Sequence, residues 1–206
     1  MSLYEKYVLP KFLNCACGSK PVARQREKVV PLAEGKVLEI GIGSGLNLPF
    51  YDKTKVDEIW GLDPSEELSE MARAVAIQEG MEVNFISSGA EEIPLPDDHF
   101  DSVLITYTMC TIPEVMRANT EIRRVLKNQG KMIFCEHGAA PDDNIRKWQK
   151  RINPFWGKIA GGCNIDRNIP SLIQDSGFDI IEIEEMYLPN TPKIAGYNFW
   201  GYAVSR

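Results

Sequence analysis

The sequence predicts an α/β fold, a mostly parallel sheet with helices on both faces. Three observations carry this. A short apolar run, Val37-Leu38-Glu39-Ile40, leads into three glycines at alternate positions, Gly41, Gly43 and Gly45. A second run, 56–62, ends in Asp63. Beyond them, short apolar runs alternate with stretches of helical spacing, as in chained β-α-β units.

Short apolar runs of this kind read as strands buried on both faces. Glycines directly after such a strand let the chain turn sharply, and they bring backbone N–H groups to a ligand with no Cβ in the way. An acid at the end of the second strand is placed to accept from ribose hydroxyls. The core therefore reads as a nucleoside-cofactor site. Dinucleotide folds space their glycines G-x-G-x-x-G, with a helix N-terminus on the pyrophosphate. Here the third glycine comes one residue early and position 46 is Leu.

Composition bounds the partners. The chain has 206 residues, enough for one sizeable core, and we expect a single domain. A net charge of −6 argues against a phosphate backbone as partner, so nucleic acid is not expected. The first thirty residues are locally basic: Lys6, Lys11, Lys20, Arg24, Arg26 and Lys28 face only Glu5 and Glu27. That bias suits peripheral contact with an anionic membrane or an acidic substrate; a solvated helical face is the simpler account. The five cysteines, at 15, 17, 110, 135 and 163, form no CxxC pair, and no zinc spacing appears, so we expect reduced thiols and no metal. No signal-peptide pattern and no run of eighteen apolar residues is present, which leads us to expect a cytoplasmic protein without a transmembrane segment.

In chain order, helical spacing over 3–9 and a second helix over 21–32 make an N-terminal cap, 1–35. After the glycine loop, Asn47-Leu48-Pro49-Phe50-Tyr51 is expected to open a crossover helix. Pro64-Ser65-Glu66-Glu67 is a helix start, with Ser as cap and acids in the first turn; Leu68, Met71, Ala72, Val75 and Ala76 form its buried stripe and Gly80 ends it. Strands follow at 81–86 and 100–106. A helix over 113–127 turns Val115, Ala118, Ile122, Val125 and Leu126 inward. Strand five, 131–136, delivers Glu136 and His137 at its carboxyl end, where open α/β sheets bind ligands. This makes His137 the candidate general base, while His99 is expected at the surface. Residues 139–170 are too long for a simple connection and read as a substrate lid carrying Trp148 and Trp156. A short helix, 171–176, precedes two strands, 180–187 and 197–205.

The form E-x-G-x-G-x-G over Glu39–Gly45 resembles the first motif of class I S-adenosylmethionine-dependent methyltransferases. The closing hairpin matches their seven-stranded, mostly parallel, Rossmann-like sheet with an antiparallel last strand. A closer similarity, to thiol S-methyltransferases and bacterial ubiquinone-methyltransferase-like proteins, rests on Asp63-Pro64, Cys110, Arg123-Arg124-Val125-Leu126, Glu136-His137, Trp148-Gln149, Gly162-Cys163-Asn164 and Gly201-Tyr202-Ala203. The resemblance implies S-adenosylmethionine as cofactor, held by Glu39, Gly41, Gly43, Gly45, Asn47, Asp63, Pro64, Ala90, Glu91 and Thr106. The loop 87–92 corresponds to the family's adenine-contacting turn, with Gly89 where an Asp is usual. Tyr107, Cys110, Trp148, Trp156 and Asn164 are the implied acceptor-side residues. The expected function is methylation of a small molecule, with a thiol as the acceptor the closer similarity implies. Methylation of a phenol, phospholipid amine or quinone precursor, and cofactor binding without catalysis, are the alternatives. The Asn/Asp-Pro-Pro-aromatic motif that grips planar amines is absent after strand four.

Overall fold

The structure, a computed structural model, describes residues 17–206. The helix expected over 3–9, Cys15 and the basic residues Lys6 and Lys11 lie outside the described residues.

Seven strands form one sheet: β1 (Gly35–Ile40), β2 (Val56–Leu62), β3 (Val83–Ile86), β4 (Phe100–Thr106), β5 (Leu126–His137), β6 (Phe178–Tyr187) and β7 (Tyr197–Ser205). Their order is β3-β2-β1-β4-β5-β7-β6, with β7 antiparallel to both neighbours. The helices are α1 (Lys20–Val29), α2 (Glu66–Glu79), α3 (Val115–Val125), α4 (Asp143–Ile159) and α5 (Ile169–Asp175). Among the described residues, no helix is long and apolar enough to cross a membrane.

Strand alternation builds two cores. Leu38, Ile40, Val103, Ile105, Met132 and Phe134 face one side, where Ala118, Ile122 and Val125 of α3 cover them. Val37, Leu104, Ile133 and Cys135 face the other, beneath Val29 of α1 and Ala72 and Ala76 of α2. Both faces of the central strands are therefore dry, which is why these strands read as near-continuous apolar runs.

Local signals set the helix ends. Ser65 Oγ accepts from the Leu68 N–H at 3.3 Å at the start of α2, and Gly80 closes that helix in the left-handed region at φ 63°. Asn168 caps α5 in the same way, accepting from Ser171 N–H at 3.2 Å. Met71, expected in the buried stripe of α2, is 43% exposed, because the face turned to the sheet is the narrower one carrying Ala72 and Ala76. Half-buried His99 packs edge-on against Trp60 and Phe100.

The expected crossover helix between β1 and β2 is absent. Leu48–Phe50 makes a single 3-10 turn instead. Only a few residues separate Phe50 from β2, and Pro49 at the turn's start cannot supply an interior helical N–H. Strand five is longer than its apolar segment: it begins at Leu126, paired with Phe100, and its register shifts before Lys131 pairs with Ser102 and the apolar part begins.

Helix α4 carries the long segment after β5. Trp148, Phe155 and Ile159 are exposed on it, and its one buried residue is Gln149. The Gln149 side chain pins the helix to three loops. Its Nε2 lies within 3.0 Å of the carbonyls of Gly138, Ile165 and Ile194, and its Oε1 accepts from Ala140 N–H at 2.9 Å. A buried amide with its polar atoms satisfied costs little.

Candidate functional site

Register brings the site together. Ile40 of β1 pairs with Leu62 of β2 and with Ile105 of β4. The residues that follow these three positions, Gly41, Asp63 and Thr106, therefore emerge at one level. The chain runs from β1 outward through β2 and β3, then returns to place β4 on β1's other side, so this level is also the point where strand order reverses. Ligands of open α/β sheets bind in such a crevice. A cavity of about 380 Å³ opens there.

Its walls include Glu39, Gly41, Gly43, Asn47, Asp63, Pro64, Ala90, Glu91, Thr106 and Tyr107, all named from the sequence. Gly41 has φ 70°, and a Cβ there would lie 2.4 Å from the Thr108 side chain. Gly45 is the exception among the expected cofactor residues. At φ 80° it turns from the cavity, and a Cβ on it would press on Ala72 Cα at 3.0 Å. Its role is close packing of the loop on α2.

Asp63 is fixed from two sides. Its Oδ2 accepts from Gly43 N–H at 2.9 Å and its Oδ1 from Ser65 N–H at 2.8 Å. Burial raises its pKa, against the lowering effect of those two N–H groups. The carboxylate thus ties the glycine loop to the end of β2, with lone pairs left toward the cavity.

Asn47 is the hinge of a second network. Its Nδ2 donates to Glu39 Oε1 and to Thr106 Oγ1, both at 2.9 Å. Its Oδ1 accepts from Arg26 Nε at 2.8 Å. Glu39 also accepts from Tyr51 O–H at 2.8 Å. Burial pushes the Glu39 carboxyl up to about 7 despite the bonds from Tyr51 and Asn47. Arg26 is 4% exposed, donates to the Cys17 carbonyl at 2.6 Å and lies over the Tyr107 ring. Among the described residues no carboxylate forms an ion pair with it. A buried guanidinium without a carboxylate is costly unless an anionic group reaches it. Sequence reasoning missed Arg26, which looked like one more cation of a basic helix; its neighbours Val29 and Val30, both fully buried, were the available signal.

The acceptor-side expectations fare unevenly. Tyr107 lines the cavity, and its O–H donates to Asn198 Oδ1 at 2.8 Å. Trp148 is 53% exposed and Trp156 packs beside Cys110 and Cys163; neither belongs to the cavity wall. From the segment 139–170, expected to be a lid, it is Gly161 that lines the cavity. Asn164 serves as a brace, its backbone N–H and Nδ2 both donating to the Cys110 carbonyl at 2.9 and 3.0 Å.

His137 stands at the carboxyl end of β5, as topology requires. Its Nε2 meets Cys163 Sγ at 3.3 Å, and its ring is not part of the cavity wall. Burial alone would lower its pKa; the Cys163 contact outweighs this and raises it. Cys163 is pulled below the ordinary thiol range by its contact with Cys110, with His137 adding to the effect. Beside it, the same contact and then burial push Cys110 up. Glu136, on the opposite strand face, accepts from Thr108 and Met109 N–H at 2.8 and 2.9 Å, and burial pushes it up to about 7.

A Rossmann-like sheet with this strand order and a glycine loop facing an acid at the second strand is an arrangement in which open α/β sheets bind nucleoside cofactors. Residues 38–134 match the family model described as a methyltransferase domain. Together with the relatives below, this match supports a class I S-adenosylmethionine-dependent methyltransferase. It is 34% identical over 122 residues to the uncharacterized methyltransferase YcgJ of Bacillus subtilis, covering 59% of this chain and 48% of that protein, so it spans about half of that relative's length. It is 25% identical over 179 residues to the human thiol S-methyltransferase TMT1A, covering 84% of this chain and 72% of the relative. To the phosphatidylethanolamine N-methyltransferase of Cereibacter sphaeroides it is 28% identical over 150 residues, 72% of each. The crystal structure of YcgJ superposes with a TM-score of 0.62 at 20% identity, over 89% of this chain and 95% of that one, a likeness of fold.

Proposed function

We propose that this cavity binds S-adenosylmethionine and that the protein transfers its methyl group to a small soft nucleophile, a thiol first among them. The convergence of the glycine loop, Asp63 and the Glu39–Asn47–Arg26 network on one cavity carries the reading. Asp63 accepts from the ribose hydroxyls. Ala90 and the backbone beside it flank the adenine, with Glu91 at its edge. The amino-acid end is a zwitterion, and Asn47 bridges one acid and one base: Glu39 faces the ammonium and Arg26 the carboxylate. This pairing gives the buried Arg26 its missing anion.

When bound, the cofactor supplies an electrophilic methyl on a sulfonium. The chain's own part is to hold two reactants in line and to exclude water. Orientation of this kind lowers a barrier by roughly 7–11 kcal/mol. Tyr107, Thr108, Thr111, Pro113 and Gly161 bound the side of the cavity left for the acceptor. No histidine lines the cavity among the described residues, since His137 reaches Cys163 instead. The favoured acceptor therefore ionises unaided. A thiol of pKa ~8.5 is a few per cent thiolate at neutral pH, whereas a phenol of pKa ~10 is not. Likeness to a thiol S-methyltransferase agrees with this choice, and likeness to a phospholipid N-methyltransferase makes amines the second arm of the test. The test is release of S-adenosylhomocysteine over a panel of thiols, amines and phenols. Turnover led by thiols supports the proposal; turnover confined to amines or phenols overturns the acceptor class.

A further inference from the structure

We propose that Cys110, His137 and Cys163 form a binding site for a thiophilic divalent cation such as zinc, with a fourth position left open. The sequence spacing hides this grouping, since its members come from the loop after β4, the end of β5 and the loop after α4. In space their ligand atoms all lie within 4.8 Å of one another. Zinc bonds of ~2.3 Å to sulfur and ~2.0–2.1 Å to nitrogen set tetrahedral ligands roughly 3.5–3.8 Å apart. The 3.3 Å between Cys163 Sγ and His137 Nε2 is already close to that spacing. Two thiolates and one imidazole suit a borderline-soft cation, and three protein ligands with one free position is the pattern of open zinc sites.

The scaffold around the three ligands is locked. Asn164 ties the Cys163 loop to the Cys110 carbonyl through two hydrogen bonds. Arg167 donates to the carbonyls of Met109 and Ile112 on either side of Cys110. Glu136 holds the same loop to β5, one residue before His137. A site whose supporting shell is fixed in this way needs little reorganisation on binding. No disulfide joins the two cysteines; both are free thiols. Binding exchanges the Cys163–His137 contact for two metal bonds and sends the displaced thiol protons to solvent. Thr111 and Gly161, neighbours of Cys110 and Cys163 in sequence, line the cofactor cavity, which sets the cluster beside it.

Cobalt(II) is the probe, because its thiolate complexes absorb where those of zinc do not. The reduced full chain is titrated with Co²⁺, followed by its sulfur-to-cobalt charge-transfer band, and then challenged with Zn²⁺. The expected result is a band that saturates at a single cobalt per chain and is bleached by zinc. Cys110→Ser and Cys163→Ser should each lose most of it, while Cys135→Ala, whose sulfur contacts Tyr107 and Asn198 instead, keeps it. His137→Gln should weaken cobalt binding by more than the ~10–100-fold typical of losing an outer-shell partner. Absence of the band in the wild-type protein at one equivalent overturns the proposal, and so does an unchanged band in Cys163→Ser. If the serine variants unfold, the wild-type titration alone decides. None of these readouts depends on methyl transfer, so a failed metal site and a wrong acceptor class are told apart.

Discussion

Asp63→Asn is the sharpest perturbation of the cofactor site. Both carboxylate oxygens of Asp63 accept backbone N–H groups, from Gly43 at 2.9 Å and Ser65 at 2.8 Å. An amide can satisfy only one of them, because its NH₂ would face the other donor. The negative charge toward the ribose also disappears. A hydrogen bond to a charged group is worth about 1.5–3 kcal/mol, which corresponds to a loss of affinity of ~10- to ~150-fold. Folding stability should change less, since burial already works against the Asp63 charge and its removal relieves that penalty. Calorimetric titration with S-adenosylhomocysteine reads the affinity, and a thermal melt checks the fold. 5′-Methylthioadenosine, which keeps the ribose and lacks the amino-acid end, should weaken in parallel. A folded variant that binds S-adenosylhomocysteine within twofold of wild type would refute the assignment of Asp63 to the ribose.

Arg26→Gln should show the opposite selectivity: S-adenosylhomocysteine weakens by ~10-fold or more through loss of a charged contact, while 5′-methylthioadenosine binds as before; equal losses for both ligands would sink the carboxylate role. Affinity should also depend on pH through Glu39, whose ligand-free pKa stands at about 7. The ammonium needs the ionised carboxyl, so affinity is full above that value and declines as pH falls through it, by up to ~10-fold per unit. Glu39→Gln should bind more weakly and flatten this profile between pH 5 and 8; a slope that survives the substitution contradicts it. Gly41→Ala places a Cβ 2.4 Å from Thr108 at φ 70°, so we expect loss of cofactor binding with a lowered melting temperature, whereas wild-type binding would show the loop to be more yielding than drawn. Ile122→Ala, at a fully buried position of α3, should cost about 2–5 kcal/mol in denaturant unfolding; a cost below ~1 kcal/mol would mean the α3 face is not core.

The central sheet was legible because its strands are dry on both faces. The runs at 56–62 and 100–106 coincide with β2 and β4, since an acid or a threonine marks the point where each leaves the core. The glycine loop and Asp63 were legible for a related reason: chemistry at strand ends is written in residues that a strand interior excludes. Where a segment's role depends on partners distant in sequence, the signal failed. Trp148 has the spacing of an inward aromatic, yet the buried contact of α4 is made by Gln149, whose amide answers three carbonyls that no local pattern reveals. Arg26 is one basic residue among many until Asn47 and the Tyr107 ring are set beside it. His137 was rightly placed at a strand end, but the loop bearing Cys163 folds over it and takes its Nε2. The grouping of Cys110 with these two depends on two loops meeting a strand end, and spacing rules for metal sites see only ligands that are close in the chain.

The central claim, that the glycine-loop cavity is where S-adenosylmethionine binds, is tested most directly by backbone hydrogen exchange with and without the cofactor. The account predicts slowed exchange in peptides covering 39–47, 62–68 and 88–92, the three segments that meet at the carboxyl ends of β1, β2 and β3, and unchanged exchange across 178–205. Protection absent from the glycine loop at saturating cofactor, or centred on the β6–β7 hairpin, would contradict it.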